Sequence, residues 1–144
     1  RIYQNAALLV TPGLDLASVI CSNSERGLLG VAVDPSFATN GYIYLFYRFN
    51  RSGSCAQNTA SAPVNRVSRF TLSSSNTVSR ASELILIDNI PSPNGNHNGG
   101  DLQIGRDRHL YVSVGDGGSD WAGNKRCAGP RPAMALCSSV RSFG

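Results

Sequence analysis

A histidine sits in a glycine- and asparagine-rich segment, Asn96-His97-Asn98-Gly99-Gly100-Asp101-Leu102, and a carboxylate follows one strand pair later in Gly115-Asp116-Gly117-Gly118. Imidazole titrates near neutral pH, so a histidine whose ring is oriented by a carboxylate can take a proton from a substrate hydroxyl as a general base. Packing alone does not require that arrangement. The plainer reading of His97 is a loop residue, and the rest of the chain decides between the two.

The elements that must position these residues are strands. Short runs of β-branched and aromatic residues alternate with Gly, Pro, Asn and Ser turns, and helical periodicity is nearly absent before the last twenty residues. The expected class is all-β. Predicted strands are Leu28 to Val33, Tyr42 to Phe49, Asn65 to Leu72, Glu83 to Ile87, Asp101 to Gly105 and His109 to Val114. Tyr42-Ile43-Tyr44-Leu45-Phe46-Tyr47 is apolar on both faces, which predicts a strand covered on each side. Asp34-Pro35 and Asp107-Arg108 supply breaks between paired strands.

A weak repeat is visible when Gly27-Leu28-Leu29-Gly30-Val31-Ala32-Val33-Asp34 is laid over the segment from Gly99 to Asp107, with Leu29 over Leu102. In both copies a glycine-led strand reaches an Asp turn, and an aromatic strand follows. The spacing holds four strands and one long loop, Asn50 to Pro63, which is the pattern of a propeller blade. This predicts the outer strand of one blade before Cys21, a whole blade to about Pro91 and the first half of the next. Propellers need at least four blades to close, so the chain reads as a fragment whose last half-blade exposes a strand edge.

Composition limits the partners. The chain has 144 residues, 41% hydrophobic and only 15% charged, and its net charge of +4 is spread singly. No basic run or amphipathic basic helix occurs, which disfavours nucleic acid and membrane surfaces as partners. No apolar stretch is long enough for a transmembrane helix, and no signal peptide is encoded, although the first residue is Arg1. Cys21, Cys55, Cys127 and Cys137 allow three pairings and lack metal-binding C-x-x-C spacing. Cys21 and Cys55 flank one hairpin and are the favoured pair in an oxidising compartment, two unpaired buried thiols being the alternative. Asn50-Arg51-Ser52 fits the glycosylation sequon.

With these residues in place the chain resembles the glucose/sorbosone dehydrogenase family, sugar dehydrogenases that use pyrroloquinoline quinone (PQQ) on a six-bladed β-propeller. The resemblance rests on an ordered set: Glu25-Arg26-Gly27-Leu28-Leu29-Gly30-Val31-Ala32-Val33-Asp34-Pro35-Ser36-Phe37, Asn40-Gly41-Tyr42-Ile43-Tyr44, Asn65-Arg66-Val67-Ser68-Arg69-Phe70, His97-Asn98-Gly99-Gly100 and Leu110-Tyr111-Val112-Ser113-Val114-Gly115-Asp116-Gly117-Gly118. It implies a partial six-bladed propeller over residues 1–124, of one and a half to two four-stranded blades, and a divergent tail over residues 125–144, read as a truncated or frame-shifted stretch with a divergent loop as the alternative.

The resemblance also assigns roles. His97 matches the base that removes the anomeric hydroxyl proton while hydride passes to the quinone, and Asp116 matches the carboxylate that holds the other ring nitrogen. Glu25 falls where an acidic or amide residue lines the cofactor pocket; Asn98 and Arg26 have weaker claims to it. Arg66 and Arg69 are expected along a strand edge, away from ligand. Asp101 departs from the pattern, since similar members often carry Arg there, which implies an altered charge contact. Residues that grip the quinone's carboxylates, and the calcium loop beside it, belong to later blades of the family. The implied activity of the intact protein is oxidation of an aldose at C1 to the lactone, with PQQ and calcium as cofactors and an external electron acceptor. The implied location is secreted or periplasmic, and this chain alone is expected to be inactive. Two other readings are a binding propeller like the Hedgehog-interacting proteins, and a calcium-dependent lactonase, which would need converging carboxylates.

Overall fold

The structure is a computed structural model that describes residues 1–59, 62–118 and 141–143. The elements are β1 (Tyr3–Gln4), β2 (Ala7–Leu8), β3 (Leu28–Val33), α1 (Phe37–Asn40), β4 (Tyr42–Phe49), β5 (Val64–Thr71), a 3-10 turn (Arg80–Ser82), β6 (Leu84–Ile90), β7 (Gly99–Ile104), β8 (Leu110–Val114) and β9 (Arg141–Phe143). Strands β3-β4-β5-β6 form one antiparallel sheet in chain order, and β7-β8-β9 form a second. This is a partial β-propeller: one complete four-stranded blade and three strands of the next.

The inner strands of the first blade, β4 and β5, are buried on both faces, as the apolar run in β4 predicts. Successive side chains of a strand point to opposite faces, so Phe46 and its neighbours Leu45 and Tyr47 enter different cores. Phe46 and Val67 pack against Leu102, Leu110 and Val112 of the second sheet, which is the blade-to-blade core. Leu45, Tyr47 and Phe70 pack on the other side against Leu16, with Leu14, Val19 and Ile20 around them.

The two copies of the repeat share hydrogen bonds as well as sequence. Tyr44 Oη donates to Asp34 Oδ2 at 2.8 Å, and Tyr111 Oη donates to Asp107 Oδ2 at 2.7 Å. Each glycine-led strand carries a register shift, between Leu28 and Gly30 in one blade and between Gly99 and Leu102 in the other. The two leading strands meet closely, because a Cβ on Gly30 would stand 1.9 Å from the carbonyl oxygen of Gly100. Only hydrogen fits there.

Several expectations need correction. The segment before Cys21 adds no strand to either blade sheet among the described residues. β1 and β2 pair with each other as a separate ribbon, and Asp15 Oδ1 accepts from Ala17 N while Val19 N and Ile20 N donate to Leu16 O, which turns the chain instead of extending it. Ile20 contributes one isolated bridge to Phe49. β6 runs to Ile90 rather than ending at Ile87: Asp88 pairs with Arg66 across the sheet, and Asn89 takes a left-handed φ of 57° at an irregularity in the ladder. Arg66 and Arg69 lie on no edge, since β5 is held between β4 and β6. The Arg66 guanidinium stacks 3.4 Å from the Phe49 ring, and that of Arg69 lies 3.9 Å from the Tyr42 ring. β5, β7 and β8 differ from the expected bounds by one or two residues.

β9 was not expected, because Arg141-Ser142-Phe143 is too short to show a pattern; it pairs with β8 from Leu110↔Phe143 to Val112↔Arg141. It covers the edge of β8 that a half-blade would have left open. The rest of the tail, with Cys127 and Cys137, lies outside the described residues. Cys21 and Cys55 form a disulfide with a Cα–Cα distance of 5.6 Å. It fastens the loop after β4 to the body of the blade, and Asn58 N of that loop donates to Pro93 O at 3.1 Å.

Candidate active site

His97 lies in the connection between β6 and β7, and Asp116 lies just past the end of β8. The antiparallel β7-β8 pair brings them together: His97 Nδ1 is 3.1 Å from Asp116 Oδ1. A carboxylate only accepts, so Nδ1 carries a proton, and in the neutral ring Nε2 is the nitrogen with the free lone pair. The His97 side chain is 59% exposed, so that lone pair belongs to a ring open to a ligand. Such a ring, with one nitrogen anchored and the other basic, is equipped to take a proton from a hydroxyl and to carry the resulting charge beside Asp116.

The backbone under the ring is held with equal care. His97 has a φ of 50°, the left-handed region that costs most side chains energy. Three bonds hold it there: His97 N donates to Glu25 Oε2 at 2.9 Å, Gly117 N donates to His97 O at 3.1 Å, and Gly115 N donates to Asn98 O at 3.1 Å. A Cβ on Gly115 would stand 1.9 Å from His97 O, so the G-D-G-G turn has glycine where it passes under the histidine. Gly118 N donates to Asp116 Oδ1 at 2.9 Å, which aims the carboxylate.

Glu25 is exposed, at the turn before β3, and it touches His97 through the main chain. Asn98 faces the other way. It is 4% exposed, and its amide makes four bonds inside the protein. Nδ2 donates to Glu25 O at 2.9 Å and to Gly95 O at 3.3 Å, while Oδ1 accepts from Ser92 Oγ at 2.7 Å and from Asn65 Nδ2 at 3.2 Å. An amide has two donors and two acceptor sites, so none is left for a ligand. Arg26 is also buried, donating to Cys55 O at 2.6 Å and to Asn23 Oδ1 at 3.2 Å, and burial lowers its pKa. Asp101 is exposed and accepts from Gln103 Nε2 at 3.1 Å.

Sequence reasoning missed Arg48, Asn65 and Ser92, which are all buried beneath Asn98. Arg48 Nη2 donates to Ser92 O, and Nη1 donates to Asn65 Oδ1 at 3.4 Å. The missed signal is Arg48 itself, since a charge inside a strand that is apolar on both faces must be buried somewhere. Among the described residues, no three His, Cys, Asp or Glu side chains come together as metal ligands. The donor set fits the proton-accepting side of a quinone-dependent oxidation: one open imidazole with a fixed tautomer and a carboxylate on each flank.

Comparison with known proteins gives the same direction. Residues 4–128 match the Glucose / Sorbosone dehydrogenase family pattern. Quinoprotein glucose dehydrogenase B of Acinetobacter calcoaceticus is 32% identical over 97 residues, covering 67% of this chain and 20% of that protein. The Hedgehog-interacting protein of Mus musculus is 31% identical over 119 residues, covering 76% of this chain and 16% of that protein. The chain thus spans about a fifth of the length of the curated relatives it matches. Among solved structures, the PQQ-bound form of aldose sugar dehydrogenase from Streptomyces coelicolor superposes with a TM-score of 0.56 at 24% identity, covering 72% of this chain and 28% of that one, which is a likeness of fold. The match across most of the chain establishes that it belongs to the glucose/sorbosone dehydrogenase family.

Proposed function

We propose that this chain supplies the proton-accepting wall of a PQQ-dependent aldose dehydrogenase, which oxidises the C1 hydroxyl of a sugar to the lactone. The observation that carries the reading is the 3.1 Å contact between His97 Nδ1 and Asp116, on a ring that is open to ligand. His97 Nε2 takes the hydroxyl proton as the C1 hydride leaves, and Asp116 stabilises the imidazolium. PQQ, when bound, would supply the hydride-accepting group, with an external electron acceptor as the final oxidant. Glu25 is the residue of this chain placed to border the cofactor, beside the His97 main chain. Asn98 acts from below, through the bonds it already makes, while the bonds of Arg26 hold the Asn23 and Cys55 segments. Calcium takes its ligands from elsewhere in the propeller.

The names of the Acinetobacter relative, a quinoprotein, and of the PQQ-bound Streptomyces structure support this reading. The Cys21–Cys55 disulfide supports an oxidising location, secreted or periplasmic. A second reading, a propeller that binds a protein partner without cofactor, draws on the similarity to the Hedgehog-interacting protein. A titration of the complete propeller that contains this chain with PQQ and calcium, following quinone absorbance and melting temperature together, separates them. Saturable binding that raises the melting temperature is the expected result. A folded complete propeller that leaves PQQ untouched at millimolar concentration favours the binding propeller.

A further inference from the structure

The geometry points to Arg48 as a positioning residue for His97, acting from the floor of the site through Asn65, Ser92 and Asn98. The inference rests on the reading of His97 as the base.

Arg48 is fully buried and, among the described residues, has no carboxylate partner. Burial, together with the charges of Arg26 and Arg51, pushes its pKa down to about 10. An unpaired buried cation is a poor source of stability, and an apolar residue of similar volume does as well or better in such a place. What the guanidinium offers instead is a rigid fork with donors in fixed directions. One arm reaches Ser92 O and the other Asn65 Oδ1. The side chains of those same two residues converge on Asn98 Oδ1, at 2.7 and 3.2 Å.

From there the path is continuous. Asn98 Nδ2 donates to Glu25 O, and Glu25 Oε2 accepts from His97 N, both at 2.9 Å. Arg48 thus fixes two of the four groups that meet at Asn98, and Asn98 fixes the residue that holds His97 in its left-handed backbone conformation. Arg48 and Asn65 stand on the first blade, whereas His97 leads into the second. The relay therefore sets the histidine relative to a different sheet from the one that carries Asp116.

The test is a double-mutant cycle on the full chain, without cofactor or sugar, using Arg48→Lys and Asn98→Ala. Lysine keeps the charge but is a single point that cannot span both acceptors. The readouts are hydrogen exchange at the His97 amide and the ring nitrogen chemical shifts, which report the tautomer. Each single variant is expected to exchange about tenfold faster at His97 or more and to lose the pure Nδ1–H tautomer, with the double variant no worse than the poorer single one. Effects that add, or a lowered melting temperature with His97 signals unchanged, would overturn the inference. Should Arg48→Lys fail to fold, Asn65→Ser breaks the same relay one link later and carries the same expectation. None of these signals depends on turnover, so the result stands apart from the fate of the dehydrogenase reading.

Discussion

His97 N–H donates to Glu25 Oε2 at 2.9 Å across 72 residues of sequence, so the histidine of one repeat is gripped by the turn that opens the other. The site is therefore a product of blade packing and not of a single loop. Removing either carboxylate at His97 tests a different half of this arrangement.

Asp116→Asn keeps the size of the side chain but offers Nδ1 a donor as readily as an acceptor. The expected outcome in the complete PQQ-loaded propeller is a loss of turnover of about a hundredfold, with the sugar KM little changed. Stopped-flow dye reduction measures it, and ring nitrogen shifts should show both tautomers. Glu25→Gln keeps an acceptor for His97 N and should cost far less than Glu25→Ala.

Gly30→Ala places a Cβ 1.9 Å from Gly100 O, where backbone of the next blade must move. A loss of about 2–3 kcal/mol is expected by urea unfolding. Gly53→Ala provides the contrast: its Cβ meets nothing within 4 Å, but its φ is +75°, so the expected cost is about 1 kcal/mol.

Acid stability should follow Asp88. Burial alone would raise its carboxyl, but the Arg66 guanidinium at 2.8 and 3.1 Å, with Asn89 N–H, more than offsets this, and the group titrates below its usual range. A carboxyl with a depressed folded-state pKa adds stability that is full above its unfolded value of about 3.9 and fades as pH falls through the folded value. Asp88→Asn should therefore lower the melting temperature near neutral pH by an amount worth about 1 kcal/mol, and the difference should close as the pH falls to about 2. A gap that persists unchanged at low pH would assign the loss to packing.

Opening the Cys21–Cys55 disulfide, by reduction or by Cys55→Ser, releases a loop that spans 34 residues. The expected cost is about 2–4 kcal/mol, measured as the shift in the urea midpoint.

What could be read from the sequence follows from where the physics is local. β4 was legible because its run is apolar on both faces, and the blade repeat because each copy carries its own glycine-led strand and Asp turn. Pairing His97 with Asp116 needed only the antiparallel β7-β8 register. The turn before Cys21 was not legible because it is held by single local bonds, Ala17 N to Asp15 Oδ1 and Val19 N and Ile20 N to Leu16 O, that leave no periodic pattern. The end of β6 was lost because Asp88-Asn89 reads as a turn until Arg66 is known to face it. Asn98 had a claim to the cofactor pocket only through the family resemblance; its burial depends on Asn65 and Ser92, which are distant in sequence or unremarkable in pattern.

The most direct test of the central claim is the aldose-driven reduction of a dye acceptor by the complete PQQ- and calcium-loaded propeller, wild type against His97→Ala. The account predicts that PQQ still binds and that turnover falls by about a thousandfold or more. Unchanged turnover by the variant would contradict the assignment of His97 as the base.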